Sequence, residues 1–99
     1  MDIQIEELKD KLDAKEEFVL IDVREDSERA EFNVGGTHIP LGSLPLNIED
    51  LEEFKDKEIV VYCRSGNRSG QAKAYMEQLG FKNVRNLIGG MLEWNRRLG

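Results

Sequence analysis

The sequence predicts an α/β domain, a parallel sheet covered by helices on both faces. The expectation rests on two short apolar stretches, FVLI at 18–21, which is bounded by charge, and EIVVY at 58–62. Such stretches are too short for helices and read as strands buried on both faces. It rests equally on the helical periodicity of the segments between and around them. Strands that alternate with helices pair in parallel, because each crossover returns the chain to the same end of the sheet. Right-handed crossovers then fix the side on which each helix lies.

The elements follow in order along the chain. Ile5, Leu8 and Leu12 share one face of a first helix, with charged residues elsewhere, and Met1 to Gln4 can add a short edge strand. After FVLI, residues 27–32 predict a short helix with Ser27 as its N-cap. Residues 33–42, NVGGTHIPLG, combine a glycine pair, a short strand around His38 and Ile39, and a proline stop. Asn47 is placed to cap a helix that carries Ile48, Leu51 and Phe54. After EIVVY comes a helix starting near Ser69, with Ala72, Met76 and Leu79 inward and Gly80 as its stop. Val84 to Ile88 reads as a last strand. Met91, Trp94 and Leu98 space a final helix whose end carries Arg96 and Arg97, suited to the negative end of its dipole.

Composition narrows the classes of function. Ninety-nine residues make one domain, 1–99, with no repeat and no long linker. The net charge is −6, and the acids are spread along the chain. That argues against nucleic acid and anionic membrane as partners, since both want a basic face. No apolar run approaches the length of a membrane span. The N-terminal MDIQIEELKDK is acidic and does not read as a secretory signal. One cysteine forms no internal disulfide, so a reducing cytoplasm is the expected setting. One Cys with one His predicts no metal site.

In parallel sheets, ligands gather beyond the C-terminal ends of the strands. Asp22 follows FVLI there, and Cys63 follows EIVVY. A lone cysteine after an apolar strand is most simply a small core residue. The residues after it, RSGNRS at 64–69, shift that balance. A strand, a tight link and a helix start can turn the backbone N–H groups of Arg64 to Ser69 toward one anion-sized spot. The first turn of the helix adds unpaired N–H groups and a positive dipole end. Gly66 supplies backbone freedom, and Arg64 and Arg68 supply positive charge. Each of these favours thiolate over thiol, against the desolvation that raises a thiol pKa.

VVYCRSGNRS at 60–69 closely resembles the active loop of rhodanese domains. LIDVRE at 20–25, GGTHIPLG at 35–42 and NLIGGMLEW at 86–94 resemble further signatures of that family, in order and at normal spacing. The resemblance implies a rhodanese-like fold with a five-stranded parallel sheet. It implies sulfur transfer through a persulfide on Cys63, with residues 64 to 68 cradling the outer sulfur. Arg64 and Arg68 then become candidates for the anionic end of a donor such as thiosulfate. Ser65, Gly66, Asn67 and Ser69 complete the binding loop, and Asp22 stands at the pocket's edge. A thiol or cyanide would accept the sulfur, and no cofactor is required. A persulfide carrier that serves a protein partner, in cofactor or tRNA thiolation, is the alternative. Tyrosine-type phosphatases place Arg after five residues, whereas Arg68 follows four, so the shorter ring suits one sulfur atom and crowds a phosphoryl group. Arg29 stands where many members of the family carry an aromatic residue. His38 is expected to fill a strand or turn position, and Tyr62 and Trp94 to pack in the core.

Overall fold

In the computed structural model, which describes residues 1–99, four parallel strands form one sheet in the order β2-β1-β3-β4. The strands are β1 (Val19–Asp22), β2 (Thr37–His38), β3 (Glu58–Tyr62) and β4 (Asn83–Asn86). The helices are α1 (Ile5–Asp13), α2 (Asp26–Glu31), α3 (Leu44–Leu51), α4 (Asn67–Gln78) and α5 (Gly90–Leu98). None is long and apolar enough to cross a membrane.

Alternation along the central strands builds two cores. Ile59, Val61 and Cys63 of β3 and its end face one side, together with Ile21 and Val23. Leu44 and Leu51 of α3 and Ala72 and Met76 of α4 cover that side. Val60 and Tyr62 face the other side with Leu20, under Ile5 and Leu8 of α1 and Met91 of α5. Burying each such aliphatic side chain stabilises the fold by about 1.5–3 kcal/mol, which is why both runs read as continuously apolar.

The sheet has four strands and not the five that the resemblance implied. The fifth position is reduced to one parallel bridge between Ile3 and Leu87. Helix α1 already starts at Ile5, so little chain is left to extend the pairing. The Asn86 N–H is moreover taken by the Asp2 side chain, at 3.0 Å, and not by a main-chain carbonyl.

Helix boundaries depart from the sequence expectation at α2, α3 and α4; α4 starts at Asn67 and ends at Gln78, which leaves Leu79 exposed past its end. Glu25, not Ser27, caps α2: the Glu25 side chain accepts from the Glu28 N–H, and the Glu28 side chain accepts from the Glu25 N–H. Helix α3 starts at Leu44, with Pro45 in its first turn, so Asn47 lies inside it.

The chain leaves β1 toward β2 on one side and leaves β3 toward β4 on the other. The C-terminal ends of β1 and β3 therefore flank a switch point, where the diverging connections open a crevice. Cys63 and Asp22 both stand there, with α2 above them. No residue of α2 is buried. It is held by ion pairs, Glu28 with Arg68 and Arg29 with Asp22.

Candidate active site

Cys63 follows β3 and is completely buried. The chain then turns through Arg64, Ser65 and Gly66 into α4. Gly66 is the N-cap, at φ +101°, a left-handed conformation that a side chain resists. That turn aims the Gly66 N–H at the Cys63 Sγ, 3.1 Å away. The Ser69 Oγ lies 3.3 Å from the same sulfur. Burial pushes the Cys63 thiol up. The Ser69 hydroxyl and the N–H groups of Ser69, Gly66 and Ser65 outweigh it, so the thiol lies below its ordinary value.

Helix α5 keeps this ring open toward the sulfur. The Met91 N–H donates to the Cys63 carbonyl and the Leu92 N–H to the Arg64 carbonyl, both at 2.9 Å. With the loop's carbonyls bound to a helix N-terminus, its N–H groups are left to face inward. The approach is close enough to require glycine at position 90. A Cβ there would lie 2.5 Å from the Cys63 carbonyl oxygen and 2.6 Å from that of Arg64.

Asn86, at the end of β4, ties both donors together, and sequence reasoning missed it. Its Nδ2 donates to the Gly66 carbonyl at 3.0 Å. Its Oδ1 accepts from the Ser69 hydroxyl at 2.5 Å. Ser69 has one proton and two acceptors, Asn86 and the sulfur. The available signal was a polar residue at the end of β4, the strand beside β3.

The two loop arginines differ. Arg64 is exposed, and no side chain pairs with it. Arg68 donates through Nη1 and Nη2 to both carboxylate oxygens of Glu28, at 2.7 and 2.8 Å. The Arg68 guanidinium holds the Glu28 carboxyl down at about 2. Arg24, which precedes α2 and is bound to Asp22, thus does not pair with Glu28. Ser65 and Asn67 have exposed side chains, and Asn67 opens α4.

Asp22 lies beside Tyr62 in register, on the opposite face from Cys63. Its carboxylate is fully buried and accepts from the Arg24 N–H at 3.0 Å and from Arg24 Nε and Nη2 at 2.9 Å. Burial pushes its pKa up, and the bonds from Arg24 more than reverse that. The Arg24 guanidinium also stands 5.4 Å from the Tyr62 ring centre. Tyr62 donates to the Gly35 carbonyl at 2.8 Å, and burial, with the Asp22 charge adding, pushes its hydroxyl up to about 12. Arg29 donates to the Gly35 and Gly36 carbonyls at 3.1 and 2.9 Å, so here a guanidinium closes the glycine turn. The Nε2 of His38 is 2.7 Å from the Arg24 carbonyl, and His38 serves as a strand-end residue. Trp94 packs against the α1–α5 core.

A small cavity of about 120 Å³ opens beside the loop, bounded by Arg24, Glu28, Glu31 and Phe32 on one side and by Arg64, Met91, Leu92 and Asn95 on the other.

Comparison with known proteins identifies the architecture. The rhodanese-like domain family matches residues 4–97. The chain belongs to that family. This rhodanese domain is 49% identical over 88 residues to YtwF of Bacillus subtilis, covering 88% of this chain and 82% of that protein. A protein of Allochromatium vinosum named a sulfurtransferase is 36% identical over 96 residues, covering 96% of this chain and 88% of the other. The human single-domain sulfurtransferase TSTD1 superposes with a TM-score of 0.81 at 27% identity, covering 99% of this rhodanese domain and 97% of the human chain. The domain also matches parts of longer proteins. A tRNA uridine(34) hydroxylase of Erwinia tasmaniensis is 37% identical over 89 residues, and the match spans 25% of that protein.

Proposed function

We propose that this rhodanese domain is a sulfurtransferase that carries a sulfane sulfur as a persulfide on Cys63. One observation carries the reading: the Gly66 N–H at 3.1 Å and the Ser69 hydroxyl at 3.3 Å converge on a buried sulfur at the end of β3. Relatives named sulfurtransferases support it.

The Cys63 thiolate attacks the outer sulfur of a donor such as thiosulfate. The new S–S bond forms as the donor's own S–S bond breaks, and sulfite leaves with that electron pair. The charge now rests on the outer sulfur, and the loop's N–H groups stabilise it much as an oxyanion hole stabilises oxygen. A thiol or cyanide then attacks the outer sulfur, and Cys63 departs as thiolate. The two half-reactions occur in turn, so the kinetics are ping-pong. The ring's donors are neutral dipoles, and Cys63 is the chain's one cysteine. No second thiol in the chain resolves the persulfide, so the acceptor is another molecule.

Incubation with thiosulfate followed by intact mass measurement tests this. The wild-type chain gains the mass of one sulfur and Cys63→Ser gains nothing. A wild type left unmodified by both thiosulfate and the monoanionic methanethiosulfonate, or a modified Cys63→Ser, refutes it.

A second reading keeps the same chemistry and makes the domain a carrier that exchanges sulfur with a protein partner. The Glu28–Arg68 pair favours it, because it leaves Arg64 as the one open cation of the loop for a small anionic donor. Fast thiosulfate-to-cyanide turnover supports the first reading. Slow turnover with ready persulfide transfer from a cysteine-desulfurase donor supports the second.

A further inference from the structure

The balance of charge at the loop's mouth bears on which donors the site accepts. Arg68 stands in the first turn of α4, and its charge is felt at Cys63. Two of its five N–H donors, one on each terminal nitrogen, are nevertheless given to Glu28, whose carboxylate neutralises the charge. Glu28 is itself anchored, since its Oε1 accepts the Glu25 N–H at 3.0 Å in the cap of α2. Arg68 cannot turn its full charge toward an incoming anion without breaking both bonds to Glu28.

The other charges at the cavity leave little to replace it. Arg24 is buried, bound to Asp22 and to the Phe32 carbonyl at 2.6 Å. Arg29 reaches Asp22 only at 3.5 Å and is turned to the glycine pair. What remains open is Arg64 against Glu31, both exposed, with Phe32 and Leu92 as apolar walls. A donor at this cavity therefore meets one unpaired cation, one unpaired carboxylate, the neutral Asn95 amide and the apolar side chains of Phe32, Met91 and Leu92. A second negative charge on the donor would lose water without gaining a second unpaired cation, which is costly at a partly dry site.

We propose that Glu28 determines donor specificity: by holding Arg68 in a bidentate pair, it matches the site to sulfane donors that carry no more than one negative charge, and against dianions such as thiosulfate. The proposal rests on the persulfide reading and names its donor class. Persulfides and thiosulfonates fit that class. With methanethiosulfonate, the Cys63 thiolate takes the terminal sulfur, the donor's S–S bond breaks, and methanesulfinate leaves with the electron pair. Thiosulfate reacts in the same way and releases sulfite, so the two donors differ chiefly by one charge.

The test compares the rate of persulfide formation on Cys63, followed by intact mass, with thiosulfate and with methanethiosulfonate, in wild type and Glu28→Gln. Glutamine keeps a carbonyl oxygen for the Glu25 N–H and removes the charge that occupies Arg68. The expected result is a rise of about tenfold in the thiosulfate rate constant, with the methanethiosulfonate rate changed by less than about threefold. Equal changes for both donors, or no gain with thiosulfate, overturn the proposal. Absence of any adduct with either donor in wild type refutes the persulfide reading itself, a separate outcome. Should Glu28→Gln fail to fold, the wild type decides the matter through salt. A site with Arg68 occupied shows a thiosulfate-to-methanethiosulfonate rate ratio that holds or rises with ionic strength. A steep fall in that ratio would mean that an open cationic site attracts the dianion.

Discussion

Asp22 and Cys63 end adjacent strands of one sheet, and both are buried groups whose charged form the fold favours. They are held in opposite ways. Asp22 faces a full countercharge, with Arg24 clamped on both its oxygens and the backbone N–H of Arg24 added. Cys63 faces neutral dipoles, a main-chain N–H and a hydroxyl, with the loop's N–H groups around it. A carboxylate clamped by a guanidinium has its lone pairs committed and is inert. A sulfur anion among dipoles keeps a polarisable lone pair free to attack, and can lengthen by one sulfur while the same donors follow the charge. The comparison teaches that burial of an anion does not decide between structure and chemistry; the kind of counterpart does.

The largest way to sharpen that contrast is Asp22→Ala. It leaves the buried Arg24 without its partner and is expected to cost about 3–5 kcal/mol, read from the urea midpoint. In the protein that remains folded, the pH midpoint of Cys63 alkylation stays where it was, because Asp22 lies on the other face of the sheet. A shift of that midpoint comparable to the loss of stability would break the contrast.

Next in size is Gly90→Ala. Its Cβ cannot coexist with the Cys63 and Arg64 carbonyls at 2.5 and 2.6 Å, so the loop backbone must move. A cost of about 1–3 kcal/mol is expected, as for other overpacked sites. Here the alkylation midpoint does move, upward, since the N–H groups lose their aim at the sulfur. Smallest is Ser69→Ala, which removes one donor and leaves the main-chain ring in place. The midpoint rises, because that hydroxyl favours the thiolate, and alkylation at neutral pH falls by about tenfold, the worth of one hydrogen bond to a charged group. An unchanged midpoint would assign the Ser69 proton wholly to Asn86.

The central strands and the reactive loop were legible in the sequence because both depend on neighbours along the chain. FVLI and EIVVY announce burial on two faces, and Gly66 with a following helix announces a turn whose N–H groups converge. What local pattern does not carry is the partner across the fold. Glu28 meets Arg68 from 40 residues away and Asn86 meets Gly66 from 20, and no spacing rule connects them. The cap of α2 was misplaced for a related reason: Ser27 has the common capping chemistry, but the reciprocal pair Glu25 and Glu28 wins the position. The fifth strand was overestimated because the edge segment hands its pairing to the Asp2 side chain.

The pH dependence of Cys63 alkylation in the wild-type protein tests the central claim most directly. The sulfur is buried, so access sets the absolute rate, but the midpoint of the profile reports its charge. A ring of neutral donors that stabilises the anion predicts a midpoint below the ordinary cysteine value of about 8.5. A midpoint at or above that value would show that burial prevails over the ring, and would contradict the account.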